Sequence, residues 1–280
     1  RGKSAKVVLL DTYSTLNFIY AVWGARMCRW MNIPYIPILH GGNLPKRLKR
    51  SPKASAKLFS NSIMNVAPSH YLIDAFTQHG FTNLQYIPNT IEIDNYPFSL
   101  RKNIQARLLW VRSFSEIYNP LLAVDIVKEL KDMGIPVTLT MVGPPKDESF
   151  RKCKQRAAEE NLPIEFTGML DKKAWIDLSK KHDIFINTTN FDNTPVSVIE
   201  AMALGLPVVS TNVGGLPYLI KSGQDGVLVS PNDTQAFVEA IKELLDNPVA
   251  AQSLAQNARN KVKQFDWNHV KHQWISFLSQ

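Results

Sequence analysis

The residues with the clearest chemical potential fall in one stretch, NFDNTPVSVIEAMALGLPVVSTNVGGLP, residues 190–217. A strand is expected to end near Asn187, and a polar loop with Asp192, Asn193, Thr194 and Pro195 follows. A helix then starts near Val196, carries Glu200 in its first turns, continues through Ala201, Met202, Ala203 and Leu204, and stops at Gly205 and Pro207 before the strand Val208–Ser210. This order sets a loop acid and a helical carboxylate beside one helix start, at the C-terminal end of a parallel strand, the edge where open parallel sheets hold ligands. The first N–H groups of a helix have no partner within it and suit phosphate oxygens. A carboxylate one turn further in can accept two hydrogen bonds from a ribose diol. The small residues Ala201, Ala203 and Gly205 permit close helix–sheet packing, and the turn at Gly214–Gly215 offers backbone N–H groups with no side chains in the way.

The elements that must position this stretch alternate along nearly the whole chain. Val7–Asp11, Tyr35–Leu39, Asn65–Ala67 and Leu84–Ile87 read as buried strands, with helices near 14–31, 52–60 and 70–79 between them. Ser51 before Pro52, and Ser69 after Pro68, mark helix starts. A second series has strands at Leu108–Val111, Val137–Val142, Ile164–Phe166, Ile184–Asn187, Val208–Ser210 and Val227–Val229, with helices near 120–132, 148–160, 172–181 and 196–204. Asn119–Pro120 and Asp171 are N-terminal helix signals. Strands apolar on both faces, alternating with helices, predict α/β architecture with parallel sheets covered on both sides. The polar segment Pro88–Arg107 reads as an interdomain linker, and the chain after residue 233 reads as helical, near 234–246, 249–264 and 267–279.

The bulk composition narrows the function class. With 280 residues, 45% apolar and 20% charged, the chain has the material of two globular domains. Cys28 and Cys153 have neither metal-ligand spacing nor the number for a disulfide framework, and read as idle thiols in a reducing compartment. The charge-free apolar stretch Thr12–Ala25 is too short for a bilayer span of about 20 residues. The net charge of +8 is lopsided: residues 1–103 hold 13 Lys/Arg against 4 Asp/Glu, whereas residues 104–280 hold 19 against 20. The densest run, Lys46, Arg47, Lys49, Arg50, Lys53 and Lys57, reads as a solvated basic loop and helix, and also suits an anionic membrane surface or a phosphorylated acceptor. No zinc-finger spacing, RNA-binding signature or basic–aromatic interleaving points to nucleic acid.

The stretch at 190–217 resembles the donor-site motif of family 4 glycosyltransferases: two acids eight apart, then EAMA, G-PVV and a GG turn. Here these are Asp192, where the family usually has Glu, then Glu200–Ala203, Gly205, Pro207–Val209 and Gly214–Gly215. Further similar segments lie in the same order: PILHGG (37–42), APSHYL (67–72), YIPNT (86–90), RLLWVRSFSEIYNP (107–120), LTMVGPP (139–145), IEFTGML (164–170), GVLVSPND (226–233) and FDWNHV (265–270). The resemblance implies a GT-B fold, with two Rossmann-like parallel-sheet domains facing a cleft and the first domain incomplete at its start. It implies an acceptor-side domain and linker over 1–103, a donor-nucleotide domain over 104–265, and a last helix over 266–280 crossing back to the first domain.

Residue roles follow from the same resemblance. Glu200 is expected to bind hydroxyls of the donor sugar or ribose. Backbone N–H groups of the run Thr194, Pro195, Val196 and Ser197 hold the diphosphate or the sugar; Pro195 has no N–H, so Val196 and Ser197 are the donors. Arg112 neutralises the leaving diphosphate, and Tyr118 stands where the family usually has Lys. Lys172 and Lys173 are candidates to add to that charge, although Asp171 as a helix cap gives them a simple structural role. Gly143 supplies the turn after its strand, Met169 and Leu170 lead to the nucleotide-base contact, and His40 faces the transferred sugar. The activity implied is retaining transfer of a hexose from a nucleoside diphosphate sugar, such as a UDP-sugar, to an acceptor hydroxyl, in glycan or polysaccharide biosynthesis. No metal or other cofactor is expected, since there is no DxD-type motif at a strand end and no His/Cys cluster. The acceptor is expected to be a saccharide or lipid-linked, and the location cytoplasmic or peripheral on the cytoplasmic membrane face. Two other readings compete: a non-catalytic or degenerate nucleotide-sugar-binding subunit, suggested by Asp192 and Tyr118, and a sugar-nucleotide epimerase on the same fold.

Overall fold

The computed structural model describes residues 5–279. The chain divides into two compact units: residues 1–89 with Asp192–Thr194 and 270–280, and residues 90–191 with 195–269.

In the first unit, β1 (Val8–Thr12), α1 (Phe18–Trp30), β2 (Tyr35–Leu39), α2 (Leu44–Arg50), α3 (Pro52–Phe59), β3 (Asn65–Ala67), α4 (His70–Gln78) and β4 (Leu84–Tyr86) follow one another. The sheet is parallel in the order β1-β2-β3-β4. The expected strands are present to within a residue or so at each end. Helix α2 arises inside the basic run because Leu44 and Leu48, one turn apart, are buried while Lys46, Lys49 and Arg50 are exposed. Ser69 caps α4 by accepting from the Leu72 N–H at 3.2 Å. Ser51 precedes α3 but makes no side-chain cap, so Pro52, pre-set in φ, marks that start alone.

In the second unit, β5 (Ala106–Val111), α5 (Pro120–Asp132), β6 (Val137–Val142), α6 (Ser149–Glu159), β7 (Ile164–Gly168), α7 (Lys172–Ser179), β8 (Ile184–Asn187), α8 (Val196–Leu204), β9 (Val208–Thr211), α9 (Leu216–Leu219), β10 (Val227–Val229), α10 (Thr234–Asp246) and α11 (Pro248–Val262) lead to the final helix α12 (Trp267–Leu278). The sheet is parallel in the order β10-β9-β8-β5-β6-β7. The chain leaves β5 for β6 and β7 on one side, then returns to lay β8 on the other, so the strand order reverses between β5 and β8. A crevice opens at such a reversal because the two following loops part to opposite faces. One apolar cluster covers each face, one built around Trp110, Phe114 and α5, the other around Phe185 and α8. Trp110, fully buried, satisfies its indole N–H on Thr188 Oγ1 at 3.0 Å.

Two expectations are corrected. The segment from Thr90 is no linker: Ile91, Ile93 and Tyr96 are buried in the core around α8, and backbone bonds join Ile91 N to Phe265 O at 3.0 Å and Trp267 N to Ile91 O at 2.8 Å. The division therefore falls after Asn89 rather than after residue 103. The three apolar side chains are too irregularly spaced to show a period, which is why the segment reads as polar. Second, Asp192–Thr194 belong to the first unit, where Ser69 Oγ donates to Asn193 Oδ1 and Asn89 Nδ2 donates to Thr194 O at 3.1 Å. The residues from Val270 are also part of the first unit, the domain to which the last helix is expected to cross back, with Val270 packed against Ile36, Val66 and Ile87. His182 is a core residue: its ring nitrogens meet Leu178 O at 2.9 Å and Thr140 Oγ1 at 2.8 Å, and burial lowers its pKa.

Burial raises the pKa of both thiols, with Cys153 pushed up to about 12. A thiolate-specific reagent at pH 8 should therefore leave both cysteines unmodified in the folded protein and modify both in denaturant, as counted by mass spectrometry. Fast native labelling of Cys153 would contradict the packing around α6.

Candidate active site

The loops after β5, β6 and β7 and the start of α8 gather at the C-terminal edge of the second sheet, beside the strand-order reversal. Arg112 follows β5, and its N–H bonds back to Val142 O at 3.0 Å. Gly143 follows β6 at φ +149, and a Cβ there would lie 1.8 Å from Arg112 O. Only glycine lets these two strand ends meet, so Gly143 acts by setting where Arg112 emerges. Met169 and Leu170 follow β7, and Asp171 Oδ1 then caps α7 by accepting from Ala174 N at 2.7 Å. That cap fixes Lys172 as the first residue of α7. Arg112, Gly143, Met169, Leu170, Lys172 and Glu200 all line one cleft of about 270 Å³.

Glu200 is the centre of this cleft. Its side chain is only 5% exposed, yet it is held by two donors. The Tyr96 hydroxyl donates to Oε1 at 2.6 Å, and Lys172 Nζ pairs with the same oxygen. Burial, then the bond to Glu200, raises the Tyr96 pKa, so the phenol stays a donor at all ordinary pH values. Lys172 is the loose member: its side chain is 56% exposed and its ammonium lies 6.0 Å from the Trp175 ring. Sequence reasoning gave Lys172 and Lys173 equal standing, and the helix start brings Lys172 to the carboxylate. Tyr96 and Trp175 went unrecognised, Tyr96 because it lies in the segment read as linker.

Arg112 is half-buried by area, but its guanidinium is enclosed, with Cζ 4.5 Å from the Tyr118 ring centre. Enclosure lowers its pKa to about 10, which still leaves it cationic at neutral pH. Stacking on an aromatic face orients a guanidinium without neutralising it. At the start of α8, the N–H groups of Val198 and Ile199 both turn back to Pro195 O, at 3.1 and 3.3 Å. The preceding N–H groups, on Val196 and Ser197, are those a helix cannot satisfy internally. Ser197 Oγ is buried there without a hydrogen-bond partner among the described residues.

The other expected residues belong to the first unit. Asp192 Oδ1 accepts from the Asn193 N–H at 2.9 Å, and Thr194 Oγ1 donates to Pro68 O at 3.4 Å. His40 follows β2, its Nε2 meets Asp11 Oδ1 at 2.7 Å, and its ring stacks on Tyr13 with centroids 5.2 Å apart. Among the described residues no group of three or more His, Cys, Asp or Glu could hold a metal ion.

The fold is α/β with two Rossmann-like, parallel-sheet domains, and it matches GT-B glycosyltransferase structures. The family described as Glycosyl transferases group 1 matches residues 92–261, and the chain belongs to that family. Among curated relatives, the glycogen synthase of Mycobacterium tuberculosis is 28% identical over 194 residues, which is 68% of this chain and 47% of that protein. The chain spans about half the length of that relative. HepE of Anabaena, crystallised with UDP and glucose, superposes with a TM-score of 0.83 at 20% identity, covering 98% of this chain and 78% of that one. Sucrose-phosphate synthase of Thermosynechococcus elongatus gives a TM-score of 0.82 at 20% identity, covering 97% and 73%.

Replacing Tyr96 by Phe removes one of the two side-chain donors on Glu200 and leaves Lys172 as the other among the described residues. Calorimetry with UDP should show affinity weakened by roughly tenfold to 150-fold, about 1.5–3 kcal/mol for a hydrogen bond to a charged group. Gly143→Ala should weaken UDP binding as well, and lower thermal stability by about 2 kcal/mol or more, because the clash is with backbone. UDP affinity unchanged in both variants would dissociate this cleft from nucleotide binding.

Proposed function

We propose that this chain carries the donor side of a glycosyltransferase that moves a hexose from a nucleoside diphosphate sugar to an acceptor hydroxyl with retention of configuration. The observation that carries the reading is a buried carboxylate, Glu200, whose only neutralising cation, Lys172 among the described residues, is mostly in solvent. Such a pair is easily opened. A ribose or hexose diol can donate to Glu200 in place of the ammonium, and Lys172 is then available to the diphosphate. Arg112 and the N–H groups of Val196 and Ser197 supply positive potential from the other sides.

The bond that breaks joins the anomeric carbon to a β-phosphate oxygen, and negative charge builds on the departing diphosphate. Donors already fixed where that charge develops lower the barrier without reorganising. The acceptor oxygen attacks on the face the diphosphate leaves, and its proton passes to the leaving phosphate oxygen, so retention needs no enzymic nucleophile. The reading for UDP as nucleotide is supported by HepE, which was crystallised with UDP and glucose. Catalysis through this set of side chains and helix N–H groups needs no metal. We place the reaction in glycan or polysaccharide biosynthesis, on a saccharide or lipid-linked acceptor.

A non-catalytic, nucleotide-sugar-binding role is the second reading, favoured by one observation: an aromatic side chain, Tyr118, rather than a second cation packs on Arg112. The two separate in one experiment. UDP binding by calorimetry and consumption of UDP-glucose by mass spectrometry are measured for the wild type and for Glu200→Ala. Consumption should fall about 10²–10³-fold in the variant, the usual cost of removing one preorganised polar group. Wild-type consumption by Glu200→Ala would sink the donor-site assignment, and binding without consumption by the wild type would favour the second reading.

A further inference from the structure

The two donors on Glu200 differ in where they stand. Tyr96 is buried and does not line the cleft, whereas Lys172 does. Both reach the same oxygen, Oε1. The donor nearest the opening is therefore the one on the flexible stem. The Lys172 backbone is fixed in the first turn of α7, where Asp171 Oδ1 accepts from the Ala174 N–H at 2.7 Å and Asp171 O from the Trp175 N–H at 3.2 Å. Beyond the backbone the lysine is free to swing. The Trp175 ring, 6.0 Å from the ammonium, is an apolar wall that offers it no counter-charge.

This arrangement treats two kinds of ligand differently. A ligand that brings only a sugar diol to Glu200 displaces the ammonium and gives it nothing in return. Its affinity is reduced by the strength of the Lys172–Glu200 pair. A ligand with a phosphate esterified to the same sugar supplies a new anion within the sweep of the lysine stem. In a ribonucleotide that anion is the α-phosphate. Arg112 makes no such distinction. Its guanidinium is enclosed and stacked on Tyr118, and it presents the same charge whatever occupies the carboxylate.

We propose that Lys172 is a phosphate-dependent latch on Glu200: it selects against unphosphorylated nucleosides, and it passes from the carboxylate to the α-phosphate when the ribose diol of a nucleotide takes its place. The inference rests on the donor-site reading of this cleft and gives Lys172 a part in choosing the ligand, beyond adding charge. Specificity of this kind is a difference between affinities, obtained by a cost that only the wrong ligand bears. The selection has a use. A free nucleoside presents the same base and ribose as a sugar nucleotide and has nothing to transfer.

The test is calorimetry on the full chain with uridine, UMP and UDP, repeated with the adenosine and guanosine series, for the wild type, Lys172→Met and Lys172→Arg. Met keeps most of the stem and removes the charge. In the series that the wild type binds, the nucleoside should bind Lys172→Met about threefold to tenfold tighter, between the worth of an exposed ion pair and that of a hydrogen bond to a charged group. The preference for monophosphate over nucleoside should fall by about the same factor. The preference for diphosphate over monophosphate, set by Arg112 and the N–H groups of α8, should change by less than about twofold. Lys172→Arg should restore the wild-type order. A merely structural ion pair gives a different pattern, in which the melting temperature of Lys172→Met falls and all three ligands weaken alike. That pattern, or a nucleoside bound no tighter by Lys172→Met while the wild type binds the diphosphate, would overturn the latch and leave the donor-site reading standing. A wild type that binds no nucleotide of any series would overturn both.

Discussion

A carboxylate inside protein must be compensated, and the way Glu200 is compensated organises the second unit. An ionised acid out of water costs several kcal/mol unless it is hydrogen-bonded and paired. Tyr96 and Lys172 meet that need from two distant parts of the sequence. Tyr96 is itself held in place: Arg259 of α11 donates from Nη1 to Tyr96 O at 3.0 Å and to Ala203 O of α8 at 2.7 Å. Arg101 ties the ends of two helices in the same way, donating to Leu204 O of α8 at 2.7 Å and Ser179 O of α7 at 3.0 Å. These two arginines satisfy C-terminal carbonyls that a helix cannot satisfy alone. They also fix the two helices that carry Lys172 and Glu200. The acid at the cleft is thus rigidly placed, whereas its cation is on a long, half-solvated stem.

That asymmetry bears on how such a site handles charge. A cleft with a permanently cationic cradle would hold its own acids in ion pairs, and one with only acids would repel a diphosphate. Here the cationic members differ in how firmly they are set. Arg112 is locked by enclosure and by Tyr118, and the start of α8 is part of the backbone. Lys172 can exchange partners. Glu200, Lys172 and Arg112 together carry one net positive charge, and under the proposed function a sugar hydroxyl that replaces the ammonium at Glu200 would turn the Lys172 charge toward the diphosphate.

Much of this was legible beforehand because the signals are local. The strands of the second unit are apolar on both faces, so their positions follow from runs such as Val137–Val142, and Gly143 follows as the turn each run needs. The helix start near Val196 was marked by Pro195 ahead of it, and its end by Gly205, which adopts φ +79. What was hidden depends on tertiary packing. Tyr96 lies in a segment with no periodicity, and only the fold turns it toward Glu200. Lys172 and Lys173 look alike in sequence, and helix geometry alone distinguishes them. His182 gives no sign of burial because its partners are a carbonyl four residues back and Thr140 on β6. The boundary between units was misplaced for the same reason, since isolated apolar residues do not announce a core.

The division of the chain has a consequence for its biogenesis. The first unit takes its residues from 1–89, from Asp192–Thr194 and from 270 onward, so neither unit is one uninterrupted span of polypeptide. During synthesis on a ribosome, residues 5–89 emerge long before Val270, whose side chain packs with Ile36, Val66 and Ile87. Contacts so remote in sequence are slow to form because the intervening loop must close first. The earlier-made part therefore waits, with part of its apolar interior uncovered, until Val270 has been made, a vulnerable interval in which chaperones would find a client.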